Sequence, residues 1–172
     1  MRGGAKPPPY AGSSEVFWSW FGSAIGIGLC GFFSSLWFEP YDMTLIIGSF
    51  GASAVLVYAA IKSPLAQPRN LMGGHIISAV LGVFCYKIFG AAPWVAASLA
   101  VSFAIAAMLI TNTLHPPGGA TALIAVIGSP TIHDLGYFYA VAPVGLGALI
   151  LLVVALIVNN IAPARRYPEF WF

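Results

Sequence analysis

The chain has 172 residues, of which 59% are hydrophobic and 7% charged. A soluble domain carries roughly 25% charged residues, so this balance calls for lipid as the solvent. Seven Lys+Arg against five Asp+Glu leave a formal charge of +2, too small and too scattered for a nucleic-acid footprint. Cys30 and Cys85 both lie in apolar runs, where a reduced thiol behaves as a small hydrophobe and no staple is needed.

Residues 1–15, MRGGAKPPPYAGSSE, are polar and rich in proline and glycine, and are expected to form a disordered tail. The apolar run that follows is too long for a signal peptide and lacks a small-residue cleavage pattern. A single transmembrane domain is expected over 16–166, followed by a short tail at 167–172. Four stretches are long enough to cross a ~30 Å hydrocarbon core as helices of about 20 residues: Val16 to Phe38, Asn70 to Phe89, Trp94 to Thr113 and Gly136 to Ile161. Two more, Met43 to Ile61 and Gly118 to Gly128, are apolar but shorter or interrupted by glycine.

Charge placement favours counting all six, because Lys and Arg near span ends prefer the cytoplasmic side. With six segments and the N-terminus inside, Arg2, Lys6, Lys62, Arg69, Arg165 and Arg166 fall inside and only Lys87 outside, while Glu39, Asp42 and Asp134 fall outside. Counting four spans moves the segment with Lys62 and Arg69 to the outer face. The expectation is therefore a multi-pass protein, of a bacterial inner membrane, with both termini cytoplasmic. Gly22 and Gly26, then Gly74, Ser78 and Gly82, then Ala96, Ala100 and Ala104 repeat the small-residue spacing that lets membrane helices pack closely. Trp18, Trp20, Trp37, Trp94 and Trp171 stand near segment ends, where interfacial anchors belong.

The two short segments resemble each other. Gly51, Ala52 and Ala54 align with Gly119, Ala120 and Ala122, a step of 68 positions from Gly51 to Gly119, and Ser53 aligns with Thr121. Each copy lies between long spans, so the chain reads as two three-segment halves, about 16–90 and about 93–161. An odd number of crossings per half inverts the second against the first. The fold class expected is an all-α membrane protein, a small helical bundle of six membrane segments in a 3+3 inverted repeat, with two broken or re-entrant segments around Gly48-Gly51 and His115-Gly119. Short, glycine-interrupted segments in corresponding places mark a secondary transporter's site.

A helix from Gly119 to Gly128 would rise about 15 Å, half the core. The preceding Leu114-His115-Pro116-Pro117-Gly118, if extended, would return the chain roughly 16 Å from the surface to the midplane. Proline suits such an approach because it fixes φ and keeps the residue before it out of helix. Two helix N-termini would then face one midplane point, with unpaired N–H groups and positive dipole ends to hold a small, weakly charged anion. The candidate substrate-binding residues are Gly51, Ala52, Ser53, Pro117, Gly118, Gly119, Ala120 and Thr121.

Single polar residues add candidates for the pathway or for proton coupling. His115 could take up a proton with the anion, line the entrance or cap the preceding span. His75 is an ionisable residue inside a span, a functional candidate by default, or it bonds a neighbouring helix. Arg69 could attract anions or simply anchor the inner face, and Asn112 could contact solute or satisfy loop backbone.

At HPPGGATAL, ending at Leu123, the chain resembles the HPP family of membrane proteins. The likeness extends to GSFGASAVL from Gly48 to Leu56, SPLAQPRN from Ser63 to Asn70, and GGH from Gly73 to His75. The resemblance implies an integral membrane protein, often described with four spans, in a family whose plastid and cyanobacterial members are associated with nitrite transport. The function expected is passage of a small inorganic anion, nitrite first, through a channel or secondary carrier. The alternative is a structural or regulatory membrane subunit. Catalysis is not expected, since His75, His115 and His133 show no metal-ligand pair at i, i+4 and no nucleophile has a matched base. Neither a cofactor nor a metal is called for. The partners expected are the lipid bilayer, a small anion and further copies of the chain in a homo-oligomer, because so small a bundle encloses only a narrow path.

Overall fold

The computed structural model describes residues 10–37 and 47–171. Most of the expected N-terminal tail lies outside these residues, and so do Phe38, Glu39 and Asp42. Among the described residues every regular element is helical. Helix α1 is Ser13–Trp37 and α2 is Gly48–Ala54, continued by a π turn over Val55–Ala59 and a 3-10 turn over Pro64–Ala66. Helices α3, Pro68–Phe89, and α4, Pro93–Ile110, are followed by the shorter α5, Pro116–Ile127, and α6, Pro130–Leu135. A 3-10 turn, Gly136–Ala140, and a π turn, Val141–Gly145, lead into α7, Leu146–Ile161.

The helix starts follow from proline. Pro68, Pro93, Pro116 and Pro130 each open their helix, where the fixed φ is already helical and the missing N–H had no partner to lose. α1 begins at Ser13, so the last residues of the expected tail are helical. Ser13–Leu36, Pro68–Phe89, Pro93–Ile110 and Pro130–Ile161 are long and apolar enough to cross a bilayer. The last begins before the Gly136 expected from sequence and is bent. Ala142 leaves the helical region, at φ −139° and ψ 127°, because the ring of Pro143 disfavours α geometry in the residue before it. Gly136, at φ 51°, takes a left-handed conformation that suits a residue without Cβ.

The packing has the exchange that two inverted halves produce. The first span of each half lies on the last of the other, α1 on α7 and α4 on α3, while the short helices α2 and α5 touch each other. The small-residue spacings mark close contacts between helices. Gly22 and Gly26 lie under the ring of Tyr58. Ala96, Ala100 and Ala104 are fully buried, in one cluster with Cys85, Met108 and Ala122. A Cβ on Gly74 would stand 2.5 Å from His115 Cβ, and one on Gly82 would stand 2.6 Å from the Ala122 carbonyl oxygen. α3 and α5 therefore run parallel in direct backbone contact.

That register corrects the depth expected for the break. α5 begins level with Gly74, which puts its start only about 9 Å below the start of α3 at Pro68. Thr113, Leu114 and His115 alone make the return, and Pro116 and Pro117 are already helical. Asn112 turns the chain at the end of α4 with φ 57°, a conformation its short amide side chain tolerates.

The C-terminal segment packs against the loop between α2 and α3. Tyr167 is buried and its hydroxyl donates to the Ala66 carbonyl at 2.7 Å, while the Glu169 N–H donates to Gln67 Oε1 at 2.8 Å. Arg165, expected only as an inner-face charge, is 6% exposed. It donates to Glu15, to Ser19 Oγ, to Asn159 Oδ1 and to the Tyr58 carbonyl. It thereby ties the start of α1 to the π turn after α2 and to the end of α7.

Candidate functional site

The polar heart of the bundle lies where α2 crosses α3 and α5. Ser53 Oγ is 2.7 Å from His75 Nε2 and 2.8 Å from His115 Nε2. The other nitrogen of His75, Nδ1, is 2.7 Å from Thr121 Oγ1, and His115 Nδ1 donates to the Leu65 carbonyl at 2.7 Å. Thr121 Oγ1 also reaches Ser49 Oγ at 2.8 Å and the Pro117 carbonyl at 3.3 Å. Ser49, Ser53, His75, His115 and Thr121 are all 0% exposed. The imidazole centroids are 5.0 Å apart, and Phe50 closes the far side of His75 edge-on at 5.2 Å.

Each element contributes for a local reason. Ser49 and Ser53 are four residues apart on α2 and therefore share a face. His75 stands two turns into α3, beside the Gly73 and Gly74 that let α5 approach. His115, the extended N-cap residue of α5, has its backbone set by Pro116, which frees its ring to point at α2. The bonds Ser49 to Thr121 and Ser53 to His115 make α2 and α5 antiparallel and side by side. The chain of contacts runs from the loop carrying Leu65, near one end of α3, to Ser49 about 15 Å deeper, near the middle of the bilayer.

This geometry alters the expected chemistry of the two helix starts. Pro116 and Pro117 have no N–H, and the N–H of Gly118 donates to the His115 carbonyl at 2.8 Å. The first three residues of α5 thus have no N–H free to offer an anion. At α2 the Phe50 N–H is likewise turned back to the Ile47 carbonyl, at 2.9 Å. The two helices pass each other instead of meeting end to end, and side chains fill the space between them.

Of the residues singled out from sequence, the structure brings together Ser53, His75, His115 and Thr121, with Pro117 supplying a carbonyl. Gly118 lies beneath them, against the Gly74 carbonyl and Ser78 Oγ. Gly51 and Ala52 face outward from α2, Gly51 with open space around it. Gly119 and Ala120 line an apolar groove of about 540 Å³ between α4 and α5, with Val101, Ile105 and Leu123. Arg69 donates to the Thr111 carbonyl at 2.7 Å and holds the end of α4. His133 is remote, within hydrogen-bond distance of the Val126 carbonyl and stacked on Tyr86. Sequence reasoning missed Ser49, the Leu65 carbonyl and Tyr139, whose hydroxyl donates to the Thr121 carbonyl at 3.2 Å. The helical spacing of Ser49 to Ser53 was the available signal for the first of these.

Among the described residues no group of three or more His, Cys, Asp or Glu could hold a metal ion. What the cluster can do is bind and pass protons, and accept hydrogen bonds from, or donate them to, a small polar guest.

The family described as "HPP, transmembrane region" matches residues 8–168. A transmembrane protein of Dictyostelium discoideum is 45% identical over 174 residues, covering 99% of this chain and 56% of that relative. A second from the same organism is 44% identical over 170 residues, covering 97% of this chain and 59% of the relative. The chain thus spans a little more than half the length of these curated relatives. No solved structure matches it. With four helices long and apolar enough to cross a bilayer and the family match running through all of them, the chain belongs to the HPP family of multi-pass integral membrane proteins.

Proposed function

We propose that the protein moves a small inorganic anion, nitrite first, across the membrane, with no catalytic step. The observation that carries this reading is the buried Ser53–His75–His115–Thr121 cluster. Ionisable side chains inside membrane segments are costly and mark ion or proton pathways, and irregular backbone at depth is tolerated where it lines such a path. Packing alone would be served more cheaply by apolar residues of the same volume. Nitrite fits the chemistry because it is compact, weakly basic and able to accept hydrogen bonds from imidazole and hydroxyl groups at both oxygens. We place both termini on the cytoplasmic side, with Lys62 and Arg69.

We also take the working form to be a homo-oligomer. Gly48, Gly51, Ala52, Val55 and Ala59 form the exposed stripe of α2, and Pro116, Gly119, Ala120, Leu123 and Ile127 form the outward stripe of α5. The two stripes correspond position by position at the repeat offset. A second copy laid on these faces would shield the broken helix ends from lipid, as the bilayer requires.

The test is influx of nitrite into liposomes containing the purified protein, against empty liposomes, with nitrate, formate and chloride as competitors. Saturable influx inhibited by close analogues supports the reading. No influx of any of these anions from folded, inserted protein moves the reading to a structural or regulatory membrane subunit.

A further inference from the structure

The hydrogen bonds of the cluster can be counted in protons. The Leu65 carbonyl only accepts, so His115 Nδ1 carries a hydrogen. If His115 is neutral, its Nε2 is an acceptor and takes the single hydroxyl hydrogen of Ser53. Ser53 then has only a lone pair for His75, so His75 Nε2 carries a hydrogen and His75 Nδ1 is an acceptor. Thr121 must turn its one hydrogen to His75. Every group in this arrangement donates once, and the donors run in one direction from Thr121 to Leu65.

Thr121 has two other acceptors in reach, Ser49 Oγ and the Pro117 carbonyl. When its hydrogen points to Ser49, the contact with His75 Nδ1 needs a hydrogen from the ring. If His75 is neutral, its Nε2 then becomes an acceptor, and Ser53 faces two acceptors with one hydrogen. One added proton completes the network. It rests on His75, or it moves on as His75 Nε2–H passes to Ser53 Oγ while the Ser53 hydrogen passes to His115 Nε2. Both placements keep every bond and conserve every proton.

The cluster therefore has two fully hydrogen-bonded states that differ by one proton. The groups facing the two rings are Ser49, Phe50 and Ser53 of α2, Thr121 and Pro117 of α5, Met108 of α4 beside Gly74, and the Leu65 carbonyl, while Tyr139 reaches the Thr121 carbonyl. Among the described residues no carboxylate, lysine or arginine contacts the rings, so the charge of the protonated state has no protein partner. An anion supplies one.

We propose that the cluster takes up a single proton, shared by His75 and His115 through Ser53, and that this proton travels with the anion one for one, making transport electroneutral. This deepens the reading of the site given above and rests on it. The experiment is nitrite uptake into proteoliposomes of the wild-type protein with a trapped pH dye and an imposed potassium-diffusion potential. Flux through empty vesicles is subtracted, since nitrous acid itself crosses lipid. The same protein with 15N-labelled histidine is examined by solid-state NMR in bilayers across pH.

One proton is expected to enter per nitrite, at a rate indifferent to the imposed potential. In the spectra the neutral site is expected to show His115 as the Nδ1–H tautomer and His75 as the Nε2–H tautomer, with one proton taken up by the pair. Uptake that follows the potential without acidification overturns this proposal and leaves nitrite transport standing. Absence of nitrite uptake removes the transport reading, and the spectra then decide the proton-sharing part alone. A pair that takes up one proton supports it, and two histidines that each titrate independently overturn it.

Discussion

Gly74→Ala tests the seam that holds the cluster together. The new methyl carbon would stand 2.5 Å from His115 Cβ and 2.9 Å from the Thr113 carbonyl oxygen. Carbon atoms in contact prefer ~3.5–4.0 Å, so α3 and the start of α5 must part by roughly 1 Å. The bond from His75 Nδ1 to Thr121 crosses this seam at 2.7 Å, and the same displacement would carry it past about 3.5 Å, where a hydrogen bond is lost. Overpacking of this kind costs about 1–3 kcal/mol, and a buried polar group left unpaired adds about 1–3 kcal/mol. For a domain of this size each kcal/mol lowers the melting temperature by about 2–4 °C. The assay is a melt in detergent followed by tryptophan fluorescence. Gly28→Ala, inside α1 at an exposed position with nothing within 4 Å of the added carbon, is the matched control. It should gain roughly 0.5–1 kcal/mol from the lost backbone entropy of glycine. If the two variants melt together, or if Gly74→Ala is the more stable, the inferred α3–α5 contact is wrong.

Thr121→Val keeps the shape and removes the hydroxyl that joins His75 to Ser49; it should destabilise by about 1–3 kcal/mol in the same melt, with Thr121→Ser restoring most of the loss. Arg165→Gln removes a buried cation from a set of acceptors on α1, the π turn after α2 and α7 and should cost about 3 kcal/mol or more, read by the denaturant midpoint. Burial pushes the Tyr167 phenol up from its ordinary value. The unfolded chain therefore loses that proton first as pH rises above about 10, so stability present below that value falls on further alkalinisation. Tyr167→Phe should lessen that alkaline slope, and an unchanged slope would remove Tyr167 as its source. Single cysteines at Ala52 and at Ala120, on the outward faces of the short helices, should form cross-links between copies in membranes when co-expressed; a wholly monomeric product would argue against those faces as the contact.

The spans were legible because lipid imposes length and apolarity; among the small-residue spacings, Gly74 and Gly82 named a real backbone contact, and Gly22/Gly26 named the seat of the Tyr58 ring. The pairing of His75, His115, Ser53 and Thr121 was only half legible. The repeat put Ser53 and Thr121 at one site, but His75 and His115 were each noticed alone, and nothing in spacing says that α3 brings His75 to the same place. The start of α5 is poorer in donors than a helix start usually is, and the sequence already says so. Two successive prolines at Pro116 and Pro117 delete the very N–H groups that an anion site needs. The depth of the break was misread because an extended return was assumed, whereas those prolines already stand in the first turn of α5. Ser49 escaped notice because its partner, Thr121, lies in the other half of the chain. Arg165 escaped because a charge near a span end has a ready explanation as an anchor.

Whether the bridging hydroxyl of Ser53 carries the function is decided by nitrite influx through Ser53→Ala and Ser53→Thr, each reconstituted after showing a wild-type melting profile or a matched loss. Ser53→Ala is expected to fall to the rate of empty vesicles while Ser53→Thr retains a substantial part of wild-type influx. Wild-type influx through Ser53→Ala would show that the hydroxyl has no part in transport.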